Sequence, residues 1–228
     1  MAITLYELAG ADPAIRFSPY CWRIRLALAH KGLAAKSIAW RFTEKAKIAF
    51  AKSERVPVLV DAGRTIVDSW RIAEYLDETY DLHPPLLGGT PAHLRFLNAW
   101  TDTVVHPAIA RIVLKDIHDV LGPDDQAYFR QSRERAFGMT LEQVVAARDT
   151  TGIAALRAAL APVRTVLRAQ PWLGGEDHDY ADYILLGSLQ WARCVSRVPL
   201  LAEDDPIAEW HARGLQLFDG LLAHAKRA

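Results

Sequence analysis

The chain has 228 residues, 51% of them hydrophobic, and its 27 Lys and Arg are balanced by 27 Asp and Glu. That is enough for one or two domains with a buried core and too apolar for disorder. The zero net charge speaks against nucleic acid or an anionic membrane as partner, since both leave a basic excess.

Ile3 to Leu8 reads as a strand and Pro19 to His30 as a helix. Ser37 to Phe42 reads as a second strand, Lys45 to Ala51 as a short helix, and Val56 to Val60 and Thr65 to Val67 as two strands around the turn Asp61-Ala62-Gly63-Arg64. Ser69 to Tyr80 reads as an amphipathic helix with Ile72, Ala73, Leu76 and Tyr80 on one face. Pro84-Pro85-Leu86-Leu87-Gly88-Gly89 then marks a linker. Beyond it the pattern is helical, at about 91–118, 123–148, 153–169, 180–195 and 204–224. Pro162 interrupts the third of these, as a kink or a break. The expected architecture is α/β plus all-α, with a four-stranded layer over 1–84 and a helical domain over 91–228.

Several chemistries are struck off by spacing. No two of the eight histidines stand closer than the ten positions from His83 to His93, so no helical zinc pair exists and no metal site is expected. Gly-x-Ser-x-Gly, P-loop and Gly-x-Gly-x-x-Gly patterns are missing too. No apolar run reaches the ~18 residues that span a bilayer. The opening Met1-Ala2-Ile3-Thr4-Leu5-Tyr6-Glu7 lacks a basic, then apolar, leader. With two cysteines and no disulfide framework, a reducing cytoplasm is the expected compartment.

Three local features can carry chemistry. Phe17-Ser18-Pro19-Tyr20-Cys21-Trp22-Arg23 puts a hydroxyl at a helix N-terminus, where orphan N–H groups and the dipole favour an anion such as a thiolate; Ser18 can equally be a plain cap. Pro57, in Arg55-Val56-Pro57-Val58-Leu59-Val60, either opens a strand or follows a cis bond that turns the Val56 N–H and C=O outward. Asp68-Ser69 precedes a helix, as a cap or as a site for the carboxylate and ammonium of an α-amino acid head group.

In this order and spacing, the three features resemble those of the cytosolic glutathione transferases, and the resemblance runs over nearly the full chain. It implies a thioredoxin-like, glutathione-binding first domain and an all-helical second one. Ser18, with Trp22-Arg23-Ile24-Arg25-Leu26-Ala27-Leu28 behind it, resembles the serine/cysteine-type classes and would meet the glutathione sulfur. By the same resemblance Val56 and a cis Pro57 would bind the cysteinyl backbone, and Asp68 and Ser69 the γ-glutamyl end. Trp172-Leu173-Gly174-Gly175 and Asp179-Tyr180-Ala181-Asp182 resemble the family's buried-helix cap, with Asp179 in place of a hydroxyl residue and Asp182 serving the fold.

Within the family, Ser53-Glu54-Arg55-Val56-Pro57-Val58, Asp68-Ser69-Trp70 and Glu203-Asp204-Asp205-Pro206 resemble bacterial β-aryl etherases. Tyr20 and His106, with Trp100 and Arg111, are candidates to face a second-substrate pocket. Cys21 completes a Cys-x-x-Cys frame whose leading thiol is Ser18, which removes dithiol exchange; Cys21 and Cys194 read as core. The implied function is attack by the glutathione thiolate on an electrophilic carbon of a small hydrophobic, aromatic compound, by conjugation or ether cleavage. A homodimer is implied as the assembly. The competing reading is a carrier that binds glutathione without turnover.

Overall fold

The computed structural model describes residues 3–88 and 91–228. Met1 and Ala2 of the opening segment, and Gly89 of the expected linker, lie outside the described residues. β1 (Ile3–Leu8), α1 (Pro19–His30), β2 (Ala35–Trp40), β3 (Val58–Asp61), β4 (Arg64–Val67) and α2 (Ser69–Thr79) form the first half, with a 3-10 turn at Lys45–Ala51. The sheet order is β2-β1-β3-β4. β1 runs parallel to β2 and antiparallel to β3, the mixed pattern that follows from a helical crossover and then a hairpin.

The helical half comprises α3 (Pro91–Trp100), α4 (His106–Asp119), α5 (Pro123–Phe137), α6 (Leu141–Val145), α7 (Ile153–Ala159), α8 (Ala161–Leu167), α9 (Tyr180–Val195) and α10 (Pro206–Gly220). A π turn at Thr101–Val105 carries α3 into α4. Among the described residues no helix is long and apolar enough to cross a membrane.

Several boundaries differ from expectation, and the larger differences have physical reasons. β2 starts and ends two residues early because its ladder runs from Ile3↔Ala35 to Leu8↔Trp40; Phe42 instead packs on Phe17 and Phe129, at ring distances of 6.4 and 5.7 Å. β3 begins at Val58 because the Val56–Pro57 bond is cis. The expected helix over 123–148 is two helices: Gly138, at φ 68°, ends α5 in the left-handed region. Thr140 and Gln143 then open α6 with a reciprocal capping box. Pro162 resolves as a break, sitting in the first turn of α8.

The two halves meet along α1 and α9. Gly187 permits the approach: a Cβ there would stand 2.6 Å from the Pro19 carbonyl oxygen and 3.1 Å from Arg23 Cγ. Asp77 ties down the connecting segment by accepting from the Leu86 and Leu87 N–H groups at 2.7 and 2.9 Å and pairing with buried Lys31 at 2.7 Å. Asp182, fully buried, accepts from the backbone of Leu173, Gly174 and Asp179 and from Trp210 Nε1 at 2.7 Å. Its folding role is therefore physical: four donors converge on one carboxylate.

Asp179 caps α9 by accepting from the Ala181 N–H at 2.7 Å. Burial, helped by the Asp182 charge, pushes its carboxyl up to about 6. A folded-state pKa raised above the unfolded value contributes stability that is full below about pH 4 and lost as pH rises through about 6. Ser caps about as well as Asp but carries no charge. Asp179→Ser should therefore be more stable than the parent near neutral pH, by roughly 1–2 kcal/mol after allowance for solvent screening. It should also lose most of the parent's decline between about pH 5 and 7. Thermal melts of both proteins across that range check this, and parallel profiles would contradict it.

Candidate active site

The sheet register gathers the candidate residues on one edge. Tyr6 pairs with Val58, and Val58 with Val67, so continuing both ladders sets Leu8, Val56 and Ser69 side by side. The loop after β1 delivers Ser18 to the same end, at the start of α1.

Ser18 is buried and caps α1: its Oγ accepts from the Cys21 N–H at 3.3 Å, and its carbonyl accepts from the Trp22 N–H at 3.1 Å. Pro19 has no N–H to offer. Two donors stand at this helix end: the Tyr20 N–H, which has no partner among the described residues, and the proton of the Ser18 hydroxyl, whose one protein neighbour is the weakly accepting Cys21 sulfur. Both stand at the positive end of a three-turn helix, the arrangement that favours a bound anion. The cap and the anion site are the same atom used twice, once as acceptor and once as donor.

Val56 is half-buried and its backbone N–H and C=O engage no described residue, while Pro57 behind it is buried. Asp68 is exposed, with φ 78°, in the left-handed range that non-glycine residues rarely occupy. Its Oδ1 accepts from the Trp70 and Arg71 N–H groups at 3.0 and 3.2 Å, which leaves Oδ2 for a ligand. Ser69 is buried, and its carbonyl accepts from the Tyr180 hydroxyl at 3.1 Å, fastening α9 to this edge.

A cavity of about 600 Å³ opens beside this edge. Ser18, Tyr20, Val56 and His106 line it; Asp68 and Ser69 lie along the sheet edge outside its wall, and Trp100 and Arg111 do not reach it. Phe17, Trp40 and Phe42 face it from the first half, and Phe129, Phe137 and Trp191 from the second. The sequence reading missed the α5 contribution. Its signal was present: Phe129, Arg133 and Phe137 fall at steps of four, one helix face. Asp125 fixes that face by accepting from the Thr43 N–H at 2.9 Å.

Tyr20 and His106 form a polar pair in the cavity wall. The Ser188 hydroxyl gives its own proton to the Ile184 carbonyl at 2.8 Å, so its oxygen must accept from His106 Nε2, at 2.9 Å. That assigns the Nε2–H tautomer and makes Nδ1 the acceptor for the Tyr20 hydroxyl at 3.4 Å. Burial, reinforced by Arg23, pushes His106 down to about 3, so the ring is neutral and its 3.4 Å contact with Asp102 is no ion pair. Burial and the nearby Asp102 charge raise the Tyr20 phenol above its ordinary value. It stays protonated, with His106 Nδ1 and the Asp102 carboxylate as its acceptors.

Cys21 is sealed in the core, and burial together with the Glu7 charge pushes its thiol up to about 12. Cys194 is likewise pushed up to about 12 by burial. Neither is a nucleophile at neutral pH. Among the described residues no group of His, Cys, Asp and Glu has the arrangement to hold a metal ion.

Comparison with known proteins agrees with this geometry. The family model for the glutathione S-transferase N-terminal domain matches residues 17–79, and that for the C-terminal domain matches residues 92–213. A probable glutathione S-transferase of Oryza sativa subsp. japonica is 26% identical over 86% of this chain and 80% of its own length. The structure of a glutathione S-transferase from Ceriporiopsis subvermispora, solved in complex with glutathione, superposes with a TM-score of 0.79 at 27% identity over 98% of this chain and 94% of that one. Glutathione transferase GSTFuA3 from Phanerochaete chrysosporium gives 0.78 at 26% identity, over 96% and 92% of the two chains. One matched model spans the sheet edge with Ser18, Val56, Pro57, Asp68 and Ser69, and the other covers more than half of the chain: this protein belongs to the glutathione S-transferase family.

Proposed function

We propose that this chain is a serine-type glutathione transferase, with residues 1–84 as the glutathione-binding module and 91–228 supplying most of the electrophile pocket. The observation that carries the reading is the Ser18 hydroxyl, buried at the α1 N-terminus and bordering the cavity. A free thiol with a pKa near ~8.5 is mostly protonated at neutral pH. The Ser18 O–H and the Tyr20 N–H would hold the thiolate, lowering that value by about two units, roughly 2.7 kcal/mol. Tyr20 is not the activator in this reading, because its hydroxyl has His106 and Asp102 as acceptors within the wall.

The tripeptide fits the edge group by group. The open N–H and C=O of Val56 suit the cysteinyl backbone, and Pro57 holds them outward. Asp68 Oδ2 suits the γ-glutamyl ammonium, and the Ser69 hydroxyl its carboxylate. The thiol proton leaves to solvent, the sulfur forms a bond to an electrophilic carbon, and the leaving group departs with its electron pair. Phe17, Trp40, Phe42, Phe129, Phe137 and Trp191 suit an aromatic compound. Conjugation and β-aryl-ether cleavage share this step and differ in what leaves; the segments similar to bacterial etherases support an aryl ether among the substrates. Two buried free thiols suit work in the cytoplasm.

Ser18→Ala should raise the bound thiol's pKa and lower turnover at neutral pH by roughly 10- to 100-fold, with recovery at high pH. The same change removes a cap, costing about 1 kcal/mol. The pH–rate profile separates the two effects, because loss of the cap alone leaves the alkaline limb in place. Full activity with an unmoved limb would return Ser18 to a plain cap.

Asp68 needs a gentler change than alanine, since its carboxylate caps α2 and its backbone is left-handed. Asn caps and tolerates that conformation. Asp68→Asn should weaken glutathione binding by about 1.5–3 kcal/mol, measured by calorimetry, with little change in melting temperature. Unchanged affinity would remove Asp68 from the site.

A homodimer completes the proposal. Phe50, Phe96 and Val104 are exposed by 52%, 75% and 40%, an apolar surface that a second copy would cover. Light scattering at micromolar concentration should give twice the mass of one chain, and a single-chain mass would contradict the pairing.

A further inference from the structure

The cavity has an aromatic lining and a charged one, and the charges do not cancel. Five ionic side chains border it: Lys45, Arg55 and Arg133 against Glu54 and Asp102. Both carboxylates are already matched. Asp102 pairs with Arg23 at 3.0 Å. Glu54 faces Lys45 at 4.0 Å, and its carbonyl accepts from the same Nζ at 2.8 Å. Two guanidiniums are left over. Among the described residues, neither Arg55 nor Arg133 has a carboxylate within salt-bridge distance.

Arg133 differs from Arg55 in its setting. It comes from α5 in the helical half, is half-buried, and stacks over Phe129 and Phe42 at 5.0 and 5.9 Å from their ring centres. Its one hydrogen bond goes to the neighbouring Ser132 hydroxyl at 3.4 Å. Phe42 in turn packs on Phe17, which precedes Ser18. So a planar, charged donor lies on the same rings that floor the candidate electrophile site. Arg133 borders the cavity with one nitrogen on Ser132, and a guanidinium has donors enough besides to meet a carboxylate with two bonds. Burial, with a contribution from Arg55, makes its charge costly, as its lowered pKa reflects. An anion beside it would relieve that cost.

Resting on the glutathione transferase reading above, we propose that the electrophile is an aromatic carboxylate and that Arg133 binds its acidic group. The sheet edge already provides for both ends of the γ-glutamyl unit, and the glycyl carboxylate of glutathione has Lys45 and Arg55 nearer the Val56 backbone. Arg133, on the aromatic wall, belongs to the other substrate.

The test uses the full chain and two glutathione S-aryl conjugates that differ only in a ring carboxylate or its neutral carboxamide, so it needs no turnover. Calorimetry on the parent should show the carboxylate conjugate binding about ten-fold tighter or more, the range of a charge-assisted contact. Arg133→Met keeps the aliphatic stack and removes the charge; it should reduce that preference below about two-fold. Arg133→Lys should keep part of it, and free glutathione should bind Arg133→Met as it binds the parent. A preference that survives Arg133→Met, or none in the parent, overturns the assignment. Loss of free glutathione affinity in Arg133→Met would overturn it also, by giving Arg133 to the glycyl carboxylate. If the parent fails to bind glutathione at all, the transferase reading falls and this inference with it; glutathione binding without a carboxylate preference sinks the Arg133 assignment alone.

Discussion

The guanidinium of Arg23 is the point on which the two halves of the molecule are hinged. It is fully buried on α1, donates to Asn98 Oδ1 at 2.7 Å and to Asp102 Oδ1 at 3.0 Å, and lies 3.4 Å from His106 Nε2. A buried charge without such partners would cost several kcal/mol, so the position of α3 and the π turn relative to α1 is set by chemistry as well as by packing. Gly187 lets α9 close on the same helix at Pro19 and Arg23. Ser18 opens α1, and its location relative to the helical half follows from these two contacts. Burial, reinforced by Arg23, also keeps His106 neutral, so that its ring can accept from the Tyr20 hydroxyl.

The sheet was legible from sequence because its strands are short, β-rich and separated by turn residues. The register was not, since it depends on pairing between strands distant in the chain. That register is what aligns Leu8, Val56 and Ser69, so the edge that gathers the site could be reached from sequence only through family resemblance. The helix breaks divide along the same line. Gly138 and the Thr140/Gln143 box are local signals, readable in advance yet overlooked within a long apolar pattern. The kink at Leu217, Phe218 and Asp219 inside α10 has no comparable mark in the sequence.

Candidate residues defined by backbone position are legible in sequence: Ser18, Val56 and Asp68 each sit beside a turn, a proline or a helix start. Residues defined by where their side chains meet are harder. His106 lines the cavity, but its tautomer rests on Ser188, 82 positions away. Arg133 carries no mark in the sequence that sets it apart from the other arginines of α5. What distinguishes it is the lack of a carboxylate partner, a property of the folded neighbourhood.

This division has a physical cause that bears on how such a protein acquires specificity. In the proposed site glutathione would be met by the Val56 main chain and the α1 N-terminus, together with Ser18, Asp68 and Ser69, side chains whose places are set by the helix starts they open. The opposite wall is made of side chains from α4, α5 and α9, held in place by contacts such as Asp125 on the Thr43 N–H that do not depend on which residues face the cavity. Phe129, the buried apolar residue of α5, shares that face with Arg133 and Phe137, so the aromatic part of the wall is tied to the core. Half-buried Arg133 is the position on the face that packing fixes least, and an arginine there without a carboxylate partner among the described residues is better explained by a ligand than by stability.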